Sequence, residues 1–279
     1  MDPTSRAILL GGGGPAGPEY IGTYIFSTAQ DYQSYSWQVP AEVAYIQAIA
    51  WGSGGVGYGG NQTGCYYFPG TSFCRGGQGG AGGYATAVIP VTAGENLLIG
   101  VGTQNNNGGG SIYGGGFSSV FRSTTPLLIA GGGGGAGTQN NSRASLTSTT
   151  TDDGGNGGGD PAGGRGGGNG GGYLQGGPGN GGGGYQGGTG GGSIVGGKGG
   201  TGYIAATGNL YASQSTSADG TLSPPNNSGP DYVGYPGIGG NLQNANWGPG
   251  LIVIHTLGAG YDPTGAPVIP NPRTILATI

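Results

Sequence analysis

The chain has 279 residues, of which 77 are glycine, while Asp, Glu, Lys and Arg together make up 6%. Its seven basic residues are scattered (Arg6, Arg75, Arg122, Arg143, Arg165, Lys198 and Arg273) and the formal net charge is −4, which argues against a nucleic-acid partner because phosphate binding needs clustered Lys and Arg. The low charge also separates the chain from ordinary disordered tails, and no apolar run approaches the roughly 20 residues that span a bilayer.

Residues 1–23 carry one apolar run, Ala7 to Leu10, followed by Gly and Pro punctuation as far as Pro18, and read as an extended N-terminal arm. That run is too short for a secretory signal peptide. Two readings stand: a signal has been removed, or the protein leaves its cell by assembly or lysis. The initiator Met1 favours the second.

From Tyr24 the pattern turns to β. YIFS and QSYSWQV (Gln33 to Val39) are rich in aromatic and β-branched residues and free of helix signals. Pro40 closes the second run, and VAYIQAIAWG (Val43 to Gly52) opens the next. Alternation places Tyr45, Ile49 and Trp51 on one side of it and Ile46, Ala48 and Ala50 on the other. Both faces are apolar, as in a strand covered on both sides. YATAVIPV (Tyr84 to Val91), a TAGE turn (Thr92 to Glu95), NLLIGVG (Asn96 to Gly102), FSSVFR (Phe117 to Arg122) and PLLIA (Pro126 to Ala130) continue the series, and LIVIHTL (Leu251 to Leu257) ends it. Short strands separated by turn signals predict an all-β sandwich with almost no α-helix. The expected organisation is an arm over 1–23, a sandwich over 24–130 with 250–257, a glycine-rich insert over 131–249, and a second arm over 258–279.

The insert admits three readings. Between residues 151 and 200, 29 of 50 positions are glycine. Collagen requires glycine at every third position, and the spacing of Asn156, Asp160, Arg165 and Asn169 breaks that register. A flexible coil is the plain alternative. The third is a bundle of polyglycine II strands, with three residues per turn and backbone groups pointing outward to neighbouring strands. Tyr173, Tyr185, Ile194 and Tyr203 recur as if marking segment ends. Each glycine costs about 0.5–1 kcal/mol in extra chain entropy, and each net hydrogen bond returns about 0.5–1.5 kcal/mol. Such a bundle should therefore form cooperatively, braced by the sandwich.

The runs WQVPAEVAYIQAIAWGSGG, VTAGENLLIGVG, SSVFR and TTPLLIAGGGGGAG resemble, in order and spacing, the glycine-rich extracellular region of anaplastic lymphoma kinase and leukocyte tyrosine kinase. The same order is similar to glycine-rich domains of phage tail proteins and large DNA viruses. The resemblance covers Tyr24 to Thr256, with PLLIA followed by five glycines as its most specific element. It implies a tumour-necrosis-factor-like jelly roll with a polyglycine II bundle inserted between strands. Trp37, Val39 and Pro40 would lie in the early strands, Leu127, Leu128 and Ile129 in the strand feeding the bundle, and Leu251 to Ile254 in the strand that returns. The chain has no kinase, no membrane span and two cysteines, so the receptor role does not carry over; a shared fold does not imply a shared function.

Candidate chemistry is sparse. Cys65 and Cys74 enclose YYFPGTSF and read either as a disulfide closing a surface hairpin, in keeping with an oxidising location, or as two free thiols. Tyr66, Tyr67, Phe68 and Phe73 in that loop are the candidate contact surface, since aromatics anchor interfaces; packing against the insert is the other reading. His255 is the single histidine and reads as a core residue, because its nearest hydroxyl in sequence, Thr256, points to the opposite face of the strand. No cofactor, no metal site and no catalytic group is expected. Asn61, Asn140 and Asn226 begin N-x-Ser/Thr triplets, which suggest exposure. Ile8, Leu9 and Leu10 at one end, and Val268, Ile269, Ile275 and Leu276 at the other, are candidate assembly arms that dock onto other structural proteins or copies of the same chain. The expected role is a non-enzymatic viral structural protein (minor capsid, vertex, fibre or surface component), located in the virion or outside the cell. The alternative is a secreted or tail-tip adhesin that binds a host surface receptor or glycan.

Overall fold

The computed structural model describes residues 20–27, 33–56, 79–103, 114–136, 181–185, 187–188, 197–205, 211–216, 223–240 and 248–263. The described residues contain no helix; their ten strands form two antiparallel five-stranded sheets. The fold class is all-β. One sheet runs in the order β1 (Tyr20–Ser27), β10 (Leu251–Gly258), β3 (Val43–Trp51), β4 (Tyr84–Pro90), β9 (Tyr211–Thr216). The other runs β2 (Gln33–Gln38), β5 (Asn96–Val101), β6 (Ser118–Arg122), β7 (Thr125–Ala130), β8 (Tyr203–Ile204).

Period-two alternation fills the space between the sheets. Ile46, Ala48, Ala50, Ala85, Ala87, Ile89, Ile252 and Ile254 from the first sheet meet Leu97, Ile99, Val101, Val120, Leu128 and Ala130 from the second. Trp37 and Phe26 close the β1/β2 side of this core. Each of the larger side chains contributes about 1.5–3 kcal/mol by leaving water. At one end, Arg122 ties two turns together. Its Nε and Nη2 donate to the Glu95 carboxylate at 2.8 and 3.0 Å, and Nη2 also donates to the Pro90 carbonyl at 2.8 Å. In the Thr92–Glu95 turn Gly94 takes φ +79, the left-handed value that glycine supplies without strain.

Two boundaries differ from the sequence reading. β1 starts at Tyr20 rather than Tyr24, because Tyr20 and Thr23 find partners on neighbouring strands that linear order does not display. The stretch 131–249 also supplies β8 and β9, one edge strand to each sheet. Conversely, glycine runs read as loops within the sandwich belong to the same structure as the insert.

That structure is a lattice of extended glycine segments with regular lateral bonding. Gly131–Ala136, which continues directly from β7, lies at its centre. The carbonyls of Gly131 and Gly134, three residues apart, accept from Gly83 and Gly80 at 2.7 and 2.9 Å. Those of Gly132 and Gly135 accept from Gly200 and Gly197, both at 2.9 Å. The N–H groups of Gly133 and Ala136 donate to Ser53 and Val56, both at 2.9 Å. Residues three apart thus face the same neighbour and successive residues face different ones, the signature of threefold strands that bond sideways rather than internally. Segment 52–56 repeats the pattern, since Gly52 and Gly55 both donate to 79–83 while Ser53 and Gly54 donate to Gly116 and Gly248.

Glycine is required here by distance rather than by φ. A Cβ on Gly133 would fall on the Gly80 carbonyl and stand 2.9 Å from the Ala81 oxygen. Cβ atoms on Gly52, Gly55, Gly132, Gly134 and Gly182 would likewise strike a neighbouring carbonyl. Gly183 differs, because its Cβ would face the Phe117 ring, 3.2 Å from Cδ1. Tyr185 and Tyr203, two of the regularly spaced aromatics, stack at 4.2 Å between ring centroids beside this lattice. Tyr173 and Ile194 lie outside the described residues.

Candidate functional site

The face of the first sheet that points away from the core is also covered. Ile49, Trp51, Tyr84, Leu251 and Val253 form a second apolar cluster there, with Tyr232 and Val233 packed on it. The cover is the loop Ser223–Gly240. Its ends close on each other: a Cβ at Gly237 would stand 3.2 Å from the Pro224 Cβ. The lattice holds its base through Gly82 N–H to the Gly237 carbonyl and Gly237 N–H to the Pro249 carbonyl, both 2.8 Å. It is a compact Ω-type loop, a form that often carries function.

Side chains of the sheet grip this loop at three places. Trp51 Nε1 donates to the Pro225 carbonyl at 2.9 Å, and the Trp51 ring meets Tyr232 edge-on at 5.6 Å. Tyr84 packs beside Trp51 and shares a side-chain hydrogen bond with Asn226. The third grip is His255, whose Nε2 lies 3.0 Å from Asp231 Oδ1 and whose Nδ1 lies 2.8 Å from Thr23 Oγ1. The Asp231 carboxylate can only accept, so it faces an Nε2–H, while the Thr23 hydroxyl, which can donate or accept, faces Nδ1.

Thr23, His255 and Gln47 are register partners across β1, β10 and β3. Tyr20 lies flat on the imidazole at 4.3 Å and donates its hydroxyl to Gln47 Oε1 at 2.8 Å. A hydroxyl, an imidazole and a carboxylate in line are the ingredients of an activated nucleophile. Here the imidazole is 7% exposed and roofed by Tyr20, so the arrangement acts as a clasp that fixes the loop to the sheet. Sequence reasoning missed it because Thr23 and Asp231 are distant in the chain. The hydroxyl it considered, Thr256, does lie on the inner side and donates to the Gly22 carbonyl at 3.1 Å.

Burial raises the phenol pKa of Tyr84, and the Asp231 charge adds a smaller push, against hydrogen bonds from Thr86 and Asn226 that lower it. Tyr232 is pushed up to about 12 by burial, with Tyr235 nearby contributing less. Tyr235 is the outlier of the loop, with φ +57 behind Gly234 at +76 and a side chain 73% exposed. A left-handed tyrosine is strained, and such strain often marks a contact residue. Asn226 is likewise left-handed at φ +54, and it, Asn227 and Ser228 are exposed.

Cys65, Cys74, Tyr66, Tyr67, Phe68 and Phe73 lie outside the described residues, as do Ile8, Leu9, Leu10, Val268, Ile269, Ile275 and Leu276. Asn61 and Asn140 do too. Among the described residues no group of three or more His, Cys, Asp or Glu could hold a metal ion. Within them, no helix is long and apolar enough to cross a membrane. No protein-family model matches the chain, and no curated protein does.

Proposed function

We propose that the protein is a non-enzymatic structural component of a virus particle (a minor capsid, vertex, fibre or surface subunit) and that its glycine lattice serves as a rigid, protease-resistant module. One observation carries this reading. Segments spread between residues 52 and 250, namely 52–56, 79–83, 114–116, 131–136, 197–200, 237–240 and 248–250, are bonded backbone to backbone into one block. Packing that is mainly backbone to backbone leaves few side chains at the contacts, such as Ser53 and Phe117, and it resists proteases that need an extended, unbonded segment. It is a material suited to load-bearing. The resemblance to tumour-necrosis-factor-like glycine-rich domains belongs to the same proposal: strand β7 feeds the lattice and β10 returns from it, in the order that the resemblance implies. Partners would be other structural proteins or copies of the chain, outside the cell or in the virion.

Mass spectrometry of purified particles tests the proposal. The protein should be recovered in fixed ratio to the major shell protein and survive protease treatment of intact particles. Its absence from particles would overturn the reading. A second reading, an adhesin that binds a host receptor or glycan, is favoured by one feature, the strained and exposed Tyr235 on a firmly gripped loop. In that case Tyr235→Ala would weaken attachment to host cells while leaving particle composition unchanged.

A further inference from the structure

Of the three N-x-Ser/Thr triplets in the sequence, Asn226-Asn227-Ser228 lies among the described residues, within the loop Ser223–Gly240. The Gly229 N–H donates to the Asn226 carbonyl at 3.2 Å, so Asn226 to Gly229 close a four-residue turn with Asn227 and Ser228 at its two central positions. All three residues of the triplet are exposed. The loop is held to the sheet on either side of this turn: Trp51 binds the Pro225 carbonyl, while His255 and the second apolar cluster hold Asp231 and Tyr232. The left-handed φ of +54 at Asn226 accounts for an asparagine there, since Asn tolerates that conformation. It does not account for a hydroxyl two residues on. Asparagine, a residue other than proline, then Ser or Thr is the pattern that oligosaccharide transfer reads.

We propose that Asn226 is the acceptor of an N-linked glycan. The donor class is a lipid-pyrophosphate-linked oligosaccharide. Asn226 Nδ2 bonds to the anomeric carbon of the first sugar as the bond from that carbon to the pyrophosphate oxygen breaks. The lipid pyrophosphate leaves with the electron pair, and the nitrogen gives up one proton to a base of the transferase. Nothing is oxidised or reduced. The product is a secondary amide, which keeps one N–H. Asn226 also shares a hydrogen bond with the Tyr84 side chain, one that pulls the phenol pKa down against burial, as a bond donated to the phenol oxygen does. An asparagine amide has two N–H donors: one serves Tyr84 and the sugar replaces the other. The modified chain therefore folds with its loop attached as before, and a bulky, solubilising group stands on the exposed side. Such a group keeps this face of the first sheet clear of other subunits. Glycosylation adds to the structural role proposed above and shares with it only a location outside the cell.

The test is expression of the full chain, behind an added leader peptide, in the secretory pathway of animal cells. Cell-associated and secreted protein are peptide-mapped before and after treatment with peptide N-glycosidase, which leaves aspartate where a glycan stood. Wild type should carry a glycan at Asn226. Ser228→Ala removes the hydroxyl but leaves Asn226, its φ and its bond to Tyr84 in place, so it should abolish the modification; Ser228→Thr should retain it. Because the turn is exposed, glycosylated and enzymatically deglycosylated protein should unfold at the same temperature. Asn226 recovered unmodified from wild type would overturn the proposal, as would a glycan that survives Ser228→Ala. Glycosylated wild type that misfolds while Ser228→Ala folds would also overturn it, because the folded loop would then have no room for the sugar. None of these outcomes bears on recovery of the protein from particles, so failure here and failure of the structural role are separable.

Discussion

Replacing Gly133 with alanine probes the lattice at its centre. The new Cβ would occupy the space of the Gly80 carbonyl, with the Ala81 oxygen 2.9 Å away. Neither is a flexible side-chain end, so the segment 79–83 must move as backbone. Of the six backbone bonds this segment makes, three involve Gly80 or the segment that carries Gly133: Gly80 N–H to Gly134 at 2.9 Å, Gly83 N–H to Gly131 at 2.7 Å, and Gly55 N–H to Gly80 at 2.8 Å. At about 0.5–1.5 kcal/mol net each, their loss comes to roughly 1.5–4.5 kcal/mol. Alanine offsets about 0.4–1 kcal/mol of this by restricting the unfolded chain. The expected net destabilisation is therefore about 0.5–4 kcal/mol. Urea unfolding measures it against two controls. Gly260 has nothing within 4 Å of its Cβ position and no left-handed φ, so Gly260→Ala should be neutral or slightly stabilising. Gly94 has equal space but φ +79, so Gly94→Ala isolates the conformational cost, about 1 kcal/mol. Within the lattice, Gly182→Ala should cost more than Gly183→Ala, because the first meets the Gly132 carbonyl and the second a ring. If Gly133→Ala unfolds within about 0.5 kcal/mol of Gly260→Ala, the lattice as described does not exist in solution.

Three further outcomes follow from the loop and the turns. Asp231→Ala leaves the His255 Nε2–H buried without an acceptor and should cost about 1–3 kcal/mol, while Asp231→Asn, which keeps an acceptor oxygen, should cost less; faster exchange of the Trp51 indole N–H would report the loosened loop, and equal effects of the two variants would refute the clasp. Tyr232 is held neutral by burial, with a folded pKa of about 12 against an ordinary value of 10.0. Its contribution to stability is fully present below the unfolded value and is lost as pH rises through the folded one. An alkaline unfolding midpoint that does not move in Tyr232→Phe would contradict this. Arg122→Lys keeps the charge but loses the forked contact to Glu95, and at this partly exposed site the melting curve should report about 0.5–1 kcal/mol; no difference from wild type would remove the turn-pinning role.

The strands were legible in the sequence because a half-buried strand needs alternation, and alternation is local. VAYIQAIAWG read as a strand covered on both faces and LIVIHTL as the last strand, and Ile46, Ala48 and Ala50 do face the core while Ile49 and Trp51 face the second cluster. The glycine content offered lateral backbone bonding as one reading beside a flexible coil. Which glycines take part was not legible. Gly52, Gly80 and Gly115 look like loop residues, and their places beside Gly131, Gly133 and Gly132 are set by strand order. A glycine has no side chain to carry a pattern, so its neighbours are named by topology alone.

The clasp escaped for a related reason. Thr23, Asp231 and His255 meet because β1 pairs with β10 in one register and because the lattice returns the loop across that sheet. Register is a property of paired strands and is absent from either strand alone. Local alternation together with the glycine content was enough to indicate an all-β fold with an unusual glycine structure. The tertiary structure alone decided what that glycine structure joins and where the imidazole finds its partners, because each depends on contacts between residues far apart in the chain.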